Sequence, residues 1–174
     1  GFSVLASYTF SKSIDNSSTD ASQWQDPLNL SAEKGLSDFD VPQRFVGSFI
    51  WNLPEPSQRL KRAFLAGWQL NGIVTLQSGT PFKLVTGQDR ALSGTGTQRP
   101  NLVGDPYVAN PGISEWFNPA AFALPATGTY GNVGRNTLLG PGIANADLSI
   151  FREFGLTERA HLQFRAEAFN ALNH

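Results

Sequence analysis

The stretch Ala160-His161-Leu162-Gln163-Phe164-Arg165-Ala166-Glu167-Ala168-Phe169-Asn170 decides the fold. Ala160, Leu162, Phe164, Ala166 and Ala168 fall on one side of a two-residue period, and His161, Gln163, Arg165 and Glu167 on the other. That period is the signature of a β-strand. Asn145 to Phe154 repeats it, and only Gly155-Leu156-Thr157-Glu158-Arg159 separates the two runs. Together they predict an antiparallel hairpin with a short turn. One face is wholly apolar and the other carries charges of both signs. A soluble sheet could pack the apolar face on a core. A membrane barrel would turn it to lipid and keep the polar face for its lumen.

Composition narrows the functions open to the chain. Its 174 residues are 40% apolar, enough for a domain-sized core, and the net charge of −1 with mixed signs gives no reason to expect nucleic acid as a partner. With no cysteine there is no disulfide framework, thiolate metal site or cysteine nucleophile. No apolar run is long enough for a transmembrane helix. The sequence starts at Gly1 without Met and stops at Ala171-Leu172-Asn173-His174, just after a strong strand. The expectation is a piece of a longer protein. Eleven of 17 glycines and seven of 11 prolines lie between Gly79 and Gly142, which marks that region as a connection between strand-like segments.

Five strands are predicted, at about 1–13, 43–53, 66–79, 145–154 and 159–170. In the first, Phe2, Val4, Ala6, Tyr8 and Phe10 share a face, and Leu5 is the only large apolar residue on the other. In the second, Phe45, Gly47, Phe49, Trp51 and Leu53 oppose a mixed face, and Pro54 and Pro56 end the run. The third sets Trp68, Leu70, Gly72, Val74 and Leu76 against Gln69, Asn71, Ile73, Thr75 and Gln77. That amide-rich face suits a wet lumen, because buried amides are costly unless every one is paired. Two long loops, 14–42 and 80–144, lack sustained alternation. The first has room for a short helix near Asn29 or Ser31, the second for strand pieces near Leu102-Val103 and Ala121-Phe122-Ala123.

Connections therefore alternate long, short, long, short, the short ones being a basic 54–66 segment with Arg59, Lys61 and Arg62 and the 155–159 turn. Antiparallel strands send alternate connections to opposite ends of a sheet. All long loops thus fall at one end, as in outer-membrane barrels with short periplasmic turns and long extracellular loops. Tyr8, Phe10, Phe45, Trp51, Trp68 and Phe154 lie near strand ends, where interfacial aromatic girdles sit.

Several blocks, in order, resemble TonB-dependent outer-membrane receptors of the Oar-like group, a group common in Acidobacteria-type genomes whose members often carry a carboxypeptidase-regulatory-like domain at the N-terminus. They begin with Ser7-Tyr8-Thr9-Phe10-Ser11-Lys12-Ser13-Ile14-Asp15-Asn16 and Ser37-Asp38-Phe39-Asp40-Val41-Pro42-Gln43-Arg44-Phe45-Val46. Gly67-Trp68-Gln69-Leu70-Asn71-Gly72-Ile73, Gln77-Ser78-Gly79-Thr80-Pro81-Phe82 and Arg99-Pro100-Asn101-Leu102-Val103-Gly104-Asp105-Pro106 follow. Trp116-Phe117-Asn118-Pro119-Ala120-Ala121-Phe122 and the run from Leu162 to His174 complete the set. The resemblance implies a late part of a large barrel whose lumen holds an N-terminal plug, with uptake driven by an inner-membrane TonB complex. The implied partners are outer-membrane lipid, the plug and that energising complex; no cofactor is implied.

Candidate sites are modest. His161, Gln163, Arg165, Glu167 and Asp147 are expected to face the lumen or the plug, with Glu153 and Ser149 beside them; Phe151 interrupts this polar face without an evident reason. Trp116, Phe117, Phe122 and Tyr130 either contact a carbohydrate or peptide ligand or pack the long loop on itself, the second being the plainer reading. Asp15, Asp20, Asp26, Asp38 and Asp40 lack EF-hand spacing and read as solvated carboxylates before they read as a Ca²⁺ site. Gly128, Gly131, Gly134, Gly140 and Gly142 have no Gly-Lys-Ser/Thr beside them, so no phosphate loop is expected. With two histidines and no converging nucleophile, base and orienter, the chain is not expected to be an enzyme. The expectation is an all-β, antiparallel transmembrane β-barrel fragment of an importer of an unidentified ligand. Its rival is a soluble all-β binding or adhesion module. In isolation such a fragment would expose two strand edges and an apolar face.

Overall fold

A computed structural model of the chain describes residues 1–18, 24–57 and 66–172. Asp20, the basic side chains Arg59, Lys61 and Arg62, and the terminal Asn173 and His174 lie outside the described residues. The chain divides into two compact units, one of strands (1–10, 42–78 and 142–174) and one of loops (11–41 and 79–141).

The strand unit is a five-stranded antiparallel sheet. Its strands are β1 (Phe2–Phe10), β4 (Gln43–Asn52), β5 (Trp68–Gln77), β10 (Ile143–Gly155) and β11 (His161–Ala168). The spatial order β1-β4-β5-β10-β11 repeats the chain order, so each strand pairs with its predecessor and the sheet is an open meander with β1 and β11 at its edges. β10 starts two residues before the alternation suggests, at Ile143, because Gln77 pairs with it and extends the ladder. β1 stops at Phe10, three residues short of the expected end. The β10–β11 turn is closed by Leu156 N–H donating to Ala160 O at 2.9 Å, while Thr157 Oγ1 accepts from Ala160 N–H at 3.0 Å.

Register turns five amphipathic strands into one two-sided sheet. Val4 lies opposite Phe49, Phe49 opposite Gly72, Gly72 opposite Leu148, and Leu148 opposite Ala168. On the other face Leu5 meets Ser48, Ser48 meets Ile73, and Ile73 meets Asp147. Directly opposed residues share a face, so every apolar run comes to the same side. The glycines on that side are covered by rings. A Cβ at Gly72 would stand 2.9 Å from Leu148 Cδ2 and would strike the Phe49 ring, and one at Gly47 would meet the Phe45 ring at 3.2 Å. The Phe49 ring lies over a glycine of the neighbouring strand and so helps pin the β4–β5 register, whereas Phe45 covers a glycine of its own strand.

Neither face is buried as in a soluble sandwich. Phe2, Val4, Tyr8 and Phe10 on the apolar side are 65, 58, 61 and 74% exposed. Ala146 is the one apolar residue of the sheet among the buried core positions described. A face this apolar and this open requires a non-aqueous neighbour. The opposite face is polar but interrupted: Leu5, Ile50 and Ile73 are 74, 47 and 50% exposed on it. Phe151, which the sequence left unexplained, stands there opposite Gln69 on β5 and Arg165 on β11.

The loop unit has short strands of its own. β2 (Ile14–Asp15) pairs with β3 (Gly35–Leu36), β6 (Pro81–Phe82) with β9 (Leu138–Leu139), and β7 (Asn101–Leu102) with β8 (Phe122–Ala123). The helix expected near Asn29 is one 3-10 turn, Leu30–Glu33. The β7–β8 pieces fall where alternation hinted at them. The β2–β3 and β6–β9 pairs are too short to leave a period in the sequence.

The two faces are expected to respond oppositely to charge. Leu148→Arg, at mid-height on the apolar face, is expected to cost about 2–4 kcal/mol, the cost of a lipid-facing arginine near the bilayer midplane. Ile73→Arg, next to Asp147 on the polar face, is expected to cost far less. Urea unfolding of the protein in bilayers measures both, and equal costs would contradict the facing assigned here.

Candidate functional site

The loop unit holds its segments together with a polar core. Among the described residues its fully or nearly buried side chains include Gln25, Glu33, Ser37, Asp40, Gln98, Arg99, Arg135 and Asn136, against the apolar Ala121, Val133 and Leu138 and the prolines Pro81, Pro100 and Pro125. Hydrophobic burial alone therefore cannot organise it, and specific hydrogen bonds must.

Glu33, wholly buried at the end of the 3-10 turn, is the centre. Its Oε2 accepts from Arg99 Nη1 at 2.6 Å, its Oε1 from Gln25 N–H at 3.1 Å, and its backbone oxygen from Arg135 Nε at 2.9 Å. Arg99 spends its other donors on Val133 O at 2.8 Å and Ala32 O at 3.1 Å. Gln25 accepts from Arg99 N–H at 2.8 Å and donates to Gly131 O at 3.0 Å. Gly131 has no room for a side chain, since a Cβ there would stand 2.6 Å from Pro100 C. These bonds tie the 11–41 loop to the 79–141 loop across 66 to 106 residues of sequence.

Arg135 makes the second tie. Its Nη2 reaches the Asp15 carboxylate and Asp15 O, the latter at 2.9 Å, and its Nη1 lies 3.6 Å from Asp38 Oδ1. Asn136, at φ 54°, donates to Leu36 O at 2.7 Å and to Asp38 Oδ1 at 2.6 Å. Burial raises the Asp15 carboxyl, but hydrogen bonds from Ser37 and Ser18 and the Arg135 guanidinium outweigh it and hold it below its ordinary value. Lys83 is pushed down, chiefly by burial, although Asp38 and Glu33 pull it back.

Three carboxylates that read as solvated are thus structural. Asp15 and Asp38 hold Arg135, and buried Asp40 accepts from Ser13 N–H at 2.6 Å. Asp26 only caps its own turn, accepting from Leu28 N–H at 3.0 Å. Among the described residues no group of three or more His, Cys, Asp or Glu is placed to hold a metal ion. Asp40 Oδ2 and Asn136 Oδ1 are the described buried atoms left without a protein partner.

The aromatic candidates pack the loop on itself. Phe117 sits between Phe82 and Phe122, with ring centroids 5.9 Å from each, and Trp116 Nε1 donates to Leu139 O at 2.7 Å. Tyr130 is half-buried beside Gly131. The most exposed large apolar side chains described on this unit are others: Leu28, Phe39, Leu92, Val103, Tyr107 and Ile113. Nothing in the sequence marked them as exposed, because they stand in aperiodic loops.

On the sheet, the lumen candidates share the polar face as expected from alternation. Arg165 donates to Glu167 along its own strand, at 2.9 and 2.5 Å, and not to a neighbouring strand. His161 Nδ1 lies 3.4 Å from Glu153 Oε1, and Gln163 is directly opposite Glu153. Asp147 Oδ1 accepts from Asn170 N–H at 2.9 Å, and Ser149 Oγ accepts from Asn71 Nδ2 at 3.2 Å. Among the described residues the apolar face of the sheet carries one charge, Arg152, whose guanidinium carbon lies 4.4 Å from the Phe154 ring centre and 5.8 Å from that of Trp68.

A two-faced antiparallel meander with alternating short and long connections defines the wall of a membrane barrel. The chain belongs to the outer membrane beta barrel domain family, whose description matches residues 1–174. Its place is accordingly the outer membrane of a Gram-negative bacterium, embedded in lipid, and the soluble sandwich is set aside. No curated protein and no solved structure matches the chain.

Two measurements test the polar core. Glu33→Met strands a buried guanidinium and is expected to cost the loop unit about 3–5 kcal/mol, whereas Glu33→Met combined with Arg99→Met costs less, because a buried ion pair is worth little against an apolar pair but much against a lone charge. Hydrogen exchange across 79–141 reads both, and a double variant as damaging as the sum of two singles would count against the pairing. For Asp15, a lowered folded-state pKa means its stabilising contribution is complete above the ordinary value of 3.8 and is lost as pH falls through the lowered one. Protection of 11–41, corrected for intrinsic exchange, is expected to hold from neutrality down to 3.8 and to fall as pH drops from there through the lowered value. Asp15→Asn should remove that step, and a step that survives the substitution would assign it elsewhere.

Proposed function

We propose that the chain is part of a TonB-dependent importer of the Oar-like group, in which the loop unit captures a ligand and the barrel passes it inward on energy supplied from the inner membrane. The observation that carries this reading is the loop unit itself. Two connections that a passive barrel could leave as simple turns are instead cross-tied through the buried Glu33–Arg99 pair into a compact body. Order of that kind suits a recognition surface, because a preorganised loop loses little entropy on binding. The ordered series of blocks from Ser7-Tyr8-Thr9-Phe10 to Asn170-Ala171-Leu172 supports the same group.

In this reading the polar face with Asp147, His161, Gln163, Arg165 and Glu167 lines the lumen and meets the plug. The exposed Tyr107 and Ile113, with Leu92 and Val103, replace Trp116, Phe117 and Phe122 as the ligand-contacting positions, since the latter are committed to packing. No bond-making step is assigned to any residue; the work is binding and release.

The test compares nutrients removed from spent medium by four strains: with and without this protein, each with and without the energising complex. Import of the proposed kind depletes at least one compound only when both are present. Depletion that needs the protein but not the energising complex would point to a passive pore and end the proposal.

A further inference from the structure

Arg152, a charge on the apolar side of the sheet, leans toward the short-turn end of its strand. Arg152 is directly opposite Trp68 on β5 and Phe164 on β11. Those two rings come together edge-to-face, with centroids 5.8 Å apart and planes at 81°, although their strands lie on either side of β10. They therefore meet above the strand that carries Arg152. The guanidinium itself is displaced toward Phe154, two residues nearer the short turn, and sits 4.4 Å from that ring against 5.8 Å from Trp68. A long cationic side chain in a lipid-facing wall extends its charge toward the nearest interface and leaves its stem among apolar groups.

At the short-turn end of an outer-membrane barrel that interface is the headgroup layer of the inner, phospholipid leaflet. A guanidinium presents five N–H donors in a planar fork that matches phosphate oxygens. That fork is the chemistry through which Arg152, which also has other interactions, would engage a phosphate. The neighbouring rings supply the apolar wall against which the first methylenes of an acyl chain would lie.

We propose that Arg152, framed by Trp68, Phe154 and Phe164, binds the phosphodiester headgroup of an anionic phospholipid in the inner leaflet of the outer membrane. This goes beyond import and rests only on the barrel wall, so a passive pore would carry the same site.

Native mass spectrometry of the protein extracted from its own outer membrane tests it, with phosphatidylglycerol titrated back after delipidation. Wild type is expected to retain phosphatidylglycerol, and Arg152→Gln to lose about tenfold or more in affinity, the scale of one charge-assisted, stacked contact. Arg152→Lys, which keeps the charge but not the fork, should fall between them. The heat-modifiable gel shift of folded barrels checks that each variant is intact. Unchanged phosphatidylglycerol retention in folded Arg152→Gln would overturn the site and leave Arg152 a purely structural cation. Displacement of the lipid by millimolar inorganic phosphate would also overturn it, because it would make the ligand a free anion.

Discussion

The register between β10 and β11 is the constraint on which the sheet's two-sided character depends. Ser149 opposite Glu167 and Glu153 opposite Gln163 place one strand's polar run beside its neighbour's polar run. A shift of one residue would send His161, Gln163, Arg165 and Glu167 into the lipid together. Such a shift is opposed by the Thr157-capped turn that joins the two strands. The same register, propagated through β5 and β4 to β1, produces an apolar surface that only a membrane can cover and a polar surface that only water or protein can.

The two units solve the problem of cohesion in opposite ways. In the sheet, the backbone groups of β4, β5 and β10 are satisfied by strands on both sides, those of the edge strands β1 and β11 on one, and side chains look outward on both faces. That is the arrangement a hydrocarbon surrounding demands. In the loop unit a short-range apolar core is nearly absent, and carboxylates and guanidinia are drawn inward, where each must be fully paired to be tolerated. Glu33 and Arg99 satisfy that demand almost completely. Asp40 and Asn136 do so less fully, each keeping one buried oxygen without a protein partner. A unit built on paired charges is specific in shape, and shape is what recognition of a ligand requires.

Much of the sheet was legible in the sequence because period-two alternation survives in every long strand. Its ends were less so: β10 gains Ile143 and Ala144 from pairing with Gln77 and Leu76, which local pattern does not show. The facing of His161, Gln163, Arg165, Glu167 and Asp147 followed from alternation alone. The loop core did not, because its partners lie 66 to 120 residues apart and involve residue types that are usually solvated. A signal was present all the same. The 11–42 loop carries an excess of carboxylates, and Arg99 and Arg135 stand in the aperiodic 79–141 stretch, each followed by a turn-forming residue or Asn. Opposite charges on two aperiodic segments of an otherwise amphipathic meander suggest mutual pairing, though not which carboxylate meets which arginine. Glu33, the centre, looked no different from its acidic neighbours.

The facing of the barrel wall is the claim on which the membrane reading stands, and Phe164 and Arg165 test it most directly. Single cysteines at these two positions, in the protein in its native outer membrane, would be exposed separately to a lipid-phase and a water-phase thiol reagent. The structure requires position 164 to react from lipid and position 165 only from water. If both are shielded from lipid, or if both react with it, β11 does not form part of a two-faced barrel wall.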